Sequence, residues 1–274
     1  MDALTKRGRL LFAATIAGFG VQHVLAATVG PALAQGPPWV PGSAVWSFLF
    51  GATLIGTAIG IAGERRTAVA AAALGAILLA YDLAPYLPGI AANVRNGANW
   101  TPASKILAMS GVAFAITGSA DREKRTLRWP RVADRLADIG RFVFAVAVFI
   151  WGAQHFIYAQ LTASIVPAWM PWRLLWAILV GIAFIAASLA FAFAVEPRAA
   201  GILLGVLFFV IVLLVHAPRV SATPMSGREW TSALSALSMC GASFAIAEAC
   251  SSDVPRRVRR RSAARCSYGK RTRA

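Results

Sequence analysis

Eight apolar runs, each about as long as a bilayer core is thick, constrain this chain more than any other feature. A membrane-crossing helix needs about 20 mostly apolar residues. Runs of that kind lie near 9–29, 44–63, 67–87, 103–120, 141–161, 173–194, 199–217 and 230–250. The gaps between them are short and rich in Pro, Gly, Asn and Arg, which leaves no room for a soluble domain. The pattern predicts an all-α, multi-pass membrane protein of eight transmembrane helices whose main partner is the lipid bilayer. Composition agrees: 58% of residues are hydrophobic and only 14% are charged, against about 25% charged in ordinary soluble domains.

A net charge of +16 would suggest nucleic-acid binding if it were spread over a folded polar surface. Here it is clustered between the apolar runs, and no nucleic acid is expected as a partner. With the N-terminus in the cytoplasm, the inner segments 1–9, 64–66, 121–141, 195–198 and the tail hold 22 of the 27 basic residues. The outer segments hold Arg95, Lys105, Arg173, Arg219 and Arg228. The excess of positive charge inside predicts a bacterial-type inner (plasma) membrane protein with both termini cytoplasmic. Residues 251–274 carry nine Lys/Arg against one Asp. They read as a disordered basic tail, drawn to anionic lipid headgroups at about 1 kcal/mol per basic residue.

The chain also repeats itself at a spacing of about 130 residues. Gly8-Arg9 matches Gly140-Arg141, and Gly20-Val21-Gln22-His23 matches Gly152-Ala153-Gln154-His155. Trp39-Val40-Pro41 matches Trp169-Met170-Pro171, and Trp46 and Gly51 match Trp176 and Gly181. Ala84-Pro85 pairs with Ala217-Pro218, Trp100-Thr101 with Trp230-Thr231, and Met109, Gly111 and Phe114-Ala115-Ile116 with Met239, Gly241 and Phe244-Ala245-Ile246. Each repeat has four spans, an even number, so the halves share one orientation about a pseudo-twofold along the membrane normal. The expected organisation is two tandem, parallel-oriented four-helix bundles: repeat one at 1–120, a charged cytoplasmic linker at 121–140, and repeat two at 141–250. Lys6, Arg7 and Arg9 ahead of an apolar run, with Ala32-Leu33-Ala34-Gln35 after it, imitate a cleavable signal peptide. The first span has a counterpart in mid-chain, which argues that it belongs to the fold.

The polar residues inside the spans locate a site. From the rise of 1.5 Å per residue, His23 and His155 lie roughly 21 Å above Arg9 and Arg141, and Asp82 roughly 24 Å above Arg66. His216 comes close to the outer surface. Ionisable groups are expensive in a membrane and face the bundle interior, so an outer-facing polar pocket is expected, with Gln22, His23, Asp82, Gln154, His155 and His216 as candidates. Three readings of the Gln-His pairs stand side by side. They hydrogen-bond across helices and fix packing at about 1 kcal/mol per bond, or they line a ligand or quinone pocket, or their imidazoles ligate metal or haem. The last is disfavoured, since no H-x-x-H or E-x-x-H spacing exists. Asp82 needs a partner or a proton; His23, Tyr81 and Tyr86 are within reach by depth. In the second repeat, aligned on Ala-Pro, Asp82 falls on Val215 and Leu83 on His216, an acid and a base in adjacent slots of diverged halves.

The remaining residues are mostly structural. Trp39, Trp46, Trp100, Trp169, Trp172, Trp176 and Trp230 fall at outer ends and read as an aromatic belt. Trp39, Pro41, Trp169 and Pro171 are candidates for short loops that fold over the pocket. Glu248 reads as reaching cytoplasmic water near the inner end of the last span. Cys240, Cys250 and Cys266 form no C-x-x-C pair, so no cysteine-built metal site is expected; Cys240 reads as a small core residue.

The pattern Gly-x-Gln-His at the end of the first span, an outer Pro/Trp loop, a Trp and a Gly in the second span, Ala-Pro after the third and a Gly in the fourth resembles the DoxX-like family of four-helix membrane proteins. The resemblance covers both repeats, from Gly8 to about Glu248, apart from the linker. Some members of that family are subunits of thiosulfate:quinone oxidoreductase, and no shared catalytic motif can be carried over to this chain. The resemblance and the common depth of His23, Asp82, His155 and His216 together imply a redox-associated component. It would bind quinone or another small outer-side ligand and work beside a membrane redox partner. A histidine would donate to a quinone carbonyl and Asp82 would exchange the proton. The alternative is a non-catalytic scaffold or assembly partner for other membrane proteins. A small-solute transporter is disfavoured, because Asp82 is the one clear intramembrane carboxylate and the repeats are not inverted.

Overall fold

Runs of Ala, Leu, Ile, Val and Phe can enter lipid only if their backbone groups bond internally, which a helix achieves within one segment. A computed structural model describes residues 3–29, 44–63, 66–83, 86–124, 127 and 130–251, and among these the secondary structure is helical throughout. The helices are α1 (Ala3–Val29), α2 (Ala44–Ala62), α3 (Thr67–Ile77), α4 (Leu87–Ala92), α5 (Gly97–Lys124), α6 (Pro130–Ile157), α7 (Ala159–Ile165), α8 (Arg173–Phe193), α9 (Pro197–Ile211), α10 (Ala217–Ala222) and α11 (Gly227–Ser251). Two π-helical turns, Leu78–Leu83 and Val212–His216, extend α3 and α9. Residues 252–274 (the expected tail), Trp39 and Pro41 lie outside the described residues.

Seven described segments are long and apolar enough to cross a membrane: Lys6–Thr28, Ala44–Ala62, Gly97–Arg122, Pro130–Ile157, Arg173–Phe193, Pro197–Ala222 and Gly227–Cys250. The protein is thus a multi-pass helical membrane protein. Thr67–Ala80, where a third span is expected, is apolar but shorter.

Three boundaries differ from the sequence expectation. α5 starts at Gly97 instead of 103, because the Asn96 side chain accepts from the Ala98 amide (3.0 Å) and the Tyr158 hydroxyl accepts from the Gly97 amide (3.1 Å). Both bonds satisfy first-turn donors that a helix leaves open. Lys105, counted above among the outer charges, therefore lies well inside the helix. α6 starts at Pro130, a residue suited to the first helical turn, so most of the stretch expected to be a solvated linker is helical. There Asp121 is buried and accepts from the Leu127 amide (2.7 Å), and Arg122 pairs with Asp134 (2.9 Å). Finally, the match of Ala84-Pro85 to Ala217-Pro218 gives way to another register. α4 and α10 are equivalent short helices with proline in the first turn, beginning at Leu87-Pro88 and Ala217-Pro218. The constant spacing of 130 places Tyr86, not Leu83, opposite His216, and Asp82 opposite Val212.

Packing groups the helices differently from their sequence order. α1 packs on α2 and α11, α2 on α3, and α3 on α5; α6 packs on α5 and α8, α8 on α9, and α9 on α11. The first helix of each half thus lies against the last helix of the other half. α5 and α11 touch in the centre and are the most deeply buried of the long helices. Small residues permit the close crossings, as expected where lipid offers no hydrophobic drive between helices. A Cβ at Gly111 would meet Gly140 O at 2.7 Å, and one at Gly241 would meet Phe12 N at 2.6 Å and Gly8 O at 3.0 Å. These are matched residues making matched contacts. On the outside, Ile59, Ile182, Leu189 and Leu203 are exposed, an apolar surface suited to lipid tails.

Candidate functional site

A cavity of about 180 Å³ opens between α1, α2, α3, α5 and α11. Its apolar wall includes Phe19 from α1, Phe50 and Leu54 from α2, Leu78 from the π turn after α3, and Ile106 and Met109 from α5. Its polar members are Gln22, His23, Tyr86, Lys105, Thr231 and Ser235. An apolar enclosure with a few convergent polar groups is the usual form of a small-molecule site.

The polar groups come from several elements. Gln22 and His23 sit toward the C-terminal end of α1, where Gly20 and Gly51 bring α1 and α2 so close that a Cβ on Gly51 would reach the His23 Cβ at 3.0 Å. The His23 ring stands edge-on to Phe50 (centroids 4.9 Å apart, 85°), and its buried Nδ1 has no hydrogen-bond partner among the described residues. Gln22 accepts from the Thr231 hydroxyl (3.4 Å). That hydroxyl also reaches Gly227 O (2.9 Å), so one proton serves two acceptors. Ser235 donates to Thr231 O (2.7 Å), which leaves its lone pairs turned to other donors. Lys105 is largely covered by α5's neighbours and has no hydrogen-bond or ion-pair partner among the described residues.

The second half places larger rings at the corresponding positions. Trp151 stands where the first half has Phe19, Phe184 where it has Leu54, and Phe208 where it has Leu78. These three rings pack together: Phe184 and Phe208 stack at 5.4 Å, and Trp151 meets them edge-on at 6.2 and 5.9 Å. The Trp151 indole donates to Ser104 Oγ (2.7 Å), and Ser104 is itself the counterpart of Leu234. Three smaller side chains at the same three positions leave the cavity in the first half.

The sequence candidates are accordingly divided. Gln22 and His23 line the cavity. Gln154 accepts from the Thr101 hydroxyl (3.2 Å), while His155 Nδ1 bonds its own helix at Trp151 O (2.8 Å) and stands edge-on to Phe184. The glutamines thus hydrogen-bond across helices, and His155 lies in the closed half. His216 ends the π turn that follows α9, with its Nδ1 buried and unpartnered among the described residues and with Lys105, Arg219 and Glu229 as its charged neighbours. Asp82 lies on the other π turn, four residues from both Leu78 and Tyr86; its side chain is outside the described residues. π turns of this kind occur often at functional sites. Trp169 is 71% exposed and Pro171 is also exposed, and neither lines the cavity. No group of three or more His, Cys, Asp or Glu able to hold a metal occurs among the described residues.

Lys105, Tyr86, Thr231 and Ser235 are the lining residues that sequence reasoning passed over. Lys105 was readable: it lies five residues past Trp100, and a tryptophan there already marks the start of the span. Thr231 and Ser235 belong to the far half of the chain and enter only because α11 packs against α1. Comparison with family models, with characterised proteins and with solved structures finds no match to this chain.

Proposed function

We propose that this chain is a bacterial-type inner-membrane protein of eight spans, two tandem DoxX-like repeats with both termini in the cytoplasm. Its first half binds a small ring-bearing ligand, in a redox-associated role beside a membrane redox partner. A quinone headgroup is the ligand this reading favours, and the basic tail adds contact with anionic lipid headgroups. The observation that carries the ligand reading is the cavity itself, open in one half and filled by three aromatic rings in the other. A cavity of about 150 Å³ is known to accept benzene, so 180 Å³ is space for one six-membered ring. The donors around it suit a carbonyl-bearing ring: the Lys105 ammonium, the Tyr86 phenol and a His23 imidazole with a nitrogen to spare. Asp82, close by in the chain, is the candidate for proton exchange.

Titration of the purified full chain in nanodiscs with a short-chain quinone analogue tests this. Saturable binding to one site is expected. His23→Ala should weaken it roughly tenfold, equal to about 1.4 kcal/mol, while His155→Ala should leave it unchanged. Absence of saturable binding, or equal sensitivity to the two histidines, would sink the reading.

A further inference from the structure

We propose that the cavity selects an amphipathic monoanion: a ring-sized apolar body bearing one ionised acid group, whose charge is met by Lys105. This rests on the cavity being a ligand site, as proposed above, and not on the ligand being a quinone.

The argument starts from an imbalance of charge. The described titratable residues lining the cavity are His23, Tyr86 and Lys105, and no carboxylate is among them. Lys105 is a central-helix residue within a membrane span, with no ion-pair or hydrogen-bond partner among the described residues. An ammonium withdrawn from water is costly unless an anion accompanies it. The repeat isolates this feature. Lys105 and Ser235 are equivalent positions on α5 and α11, and both line the same cavity. Duplication therefore supplied two equivalent places, and a cation stands at one of them, beside the half that keeps its cavity open. Ser235, Thr231 and Tyr86 bring hydroxyl groups to the same cavity.

The apolar wall decides what kind of anion fits. Phe19, Phe50, Leu54, Leu78 and Ile106 would face the oxygens of a small hydrated oxyanion without bonding them. A ligand that turns a ring to these residues and an acid group to Lys105 satisfies both surfaces, and the volume has room for a body of about one ring.

The test uses 4-fluorobenzoate and its neutral counterpart 4-fluorobenzamide, followed by fluorine NMR, with the full chain in nanodiscs of zwitterionic lipid. Benzoate is expected to bind saturably and roughly tenfold more tightly than the amide, the difference a charged hydrogen bond makes. Lys105→Arg should keep that preference and Lys105→Met should remove it. Leu78→Phe, which installs the ring that fills the second half, should abolish binding with Lys105 still present. Equal binding of benzoate and amide, or a preference that survives Lys105→Met, overturns charge selection. Competition by inorganic phosphate as strong as by benzoate itself overturns the requirement for an apolar body. If the quinone analogue binds and benzoate does not, this proposal alone fails; if neither binds, the ligand-site reading fails with it.

Discussion

The Thr101 hydroxyl donates to the Gln154 side-chain oxygen at 3.2 Å, and 130 residues further on Thr231 stands in the same relation to Gln22 at 3.4 Å. In each pair the threonine belongs to the last long helix of one half and the glutamine to the first helix of the other. Cross-helix bonds of this kind contribute about 0.6–1.7 kcal/mol within membranes. Thr101→Val keeps the side-chain shape and leaves Gln154 short of its donor in a filled environment. It should cost about 1 kcal/mol in a detergent-unfolding titration. Thr231→Val should cost less, because Gln22 faces a cavity where water can replace the lost donor. Equal costs would show that the cavity does not hydrate Gln22.

The helix crossings make a sharper contrast. A Cβ at Gly111 would stand 2.7 Å from Gly140 O and 2.9 Å from Phe144 N, both backbone atoms that cannot swing away. Gly111→Ala should therefore separate α5 from α6 and lower stability by more than about 2 kcal/mol. Gly56, on the outer face of α2, has open space for 4 Å around the point where a Cβ would stand. Gly56→Ala should be neutral or stabilising by up to about 1 kcal/mol, through helix propensity alone. Thermal unfolding of both variants side by side separates crowding from propensity, and similar melting temperatures would refute the crossing.

Trp151 fills the second half and also holds Ser104 by its indole N–H. Trp151→Phe should cost about 2–3 kcal/mol, combining a lost buried hydrogen bond with a void against Phe184 and Phe208. Ser104→Ala removes only the acceptor and should cost about 1–2 kcal/mol. If Ser104→Ala were the more damaging of the two, the ring cluster would not be what closes this half.

The proposed topology has a chemical readout. In a background without the native cysteines, cysteines at Val94 and Met225 should react with a membrane-impermeant maleimide on intact cells. Cysteines at Ala62 and Val195 should react only after lysis. All four positions are exposed. Ala62 and Val94 flank the short third helix, so labelling of both from the same side would mean that Thr67–Leu83 does not cross the membrane.

Much of the helical frame could be read from residues that the repeat duplicates. Gly8 with Gly140, Gly111 with Gly241 and Gln22 with Gln154 are the same chemical units placed twice, and each makes the same contact twice. The cavity was not legible in the same way. It exists because Phe19, Leu54 and Leu78 are smaller than Trp151, Phe184 and Phe208, and an exchange of one apolar side chain for another leaves hydropathy almost untouched. Lys105 was missed because hydropathy starts α5 at 103, so close to it that it was counted with the outer charges, while Asn96 and Tyr158 set the start at Gly97. Which half each terminal helix would pack against was equally hidden, since lipid-embedded helices choose partners by small-residue fit and not by proximity in the chain.

That choice of partners has a consequence for how the protein is made. α1 leaves the ribosome before every other described helix, and a surface it packs on, α11, is the last of them to follow. The nascent first half must wait in the bilayer with Gly8 and Gln22 unmatched until residues 227–251 arrive. A chain stopped between α5 and α6 would be an unfinished product. Supplying the missing half as a separate polypeptide should rescue it, because the two pieces complete one another's helical seams.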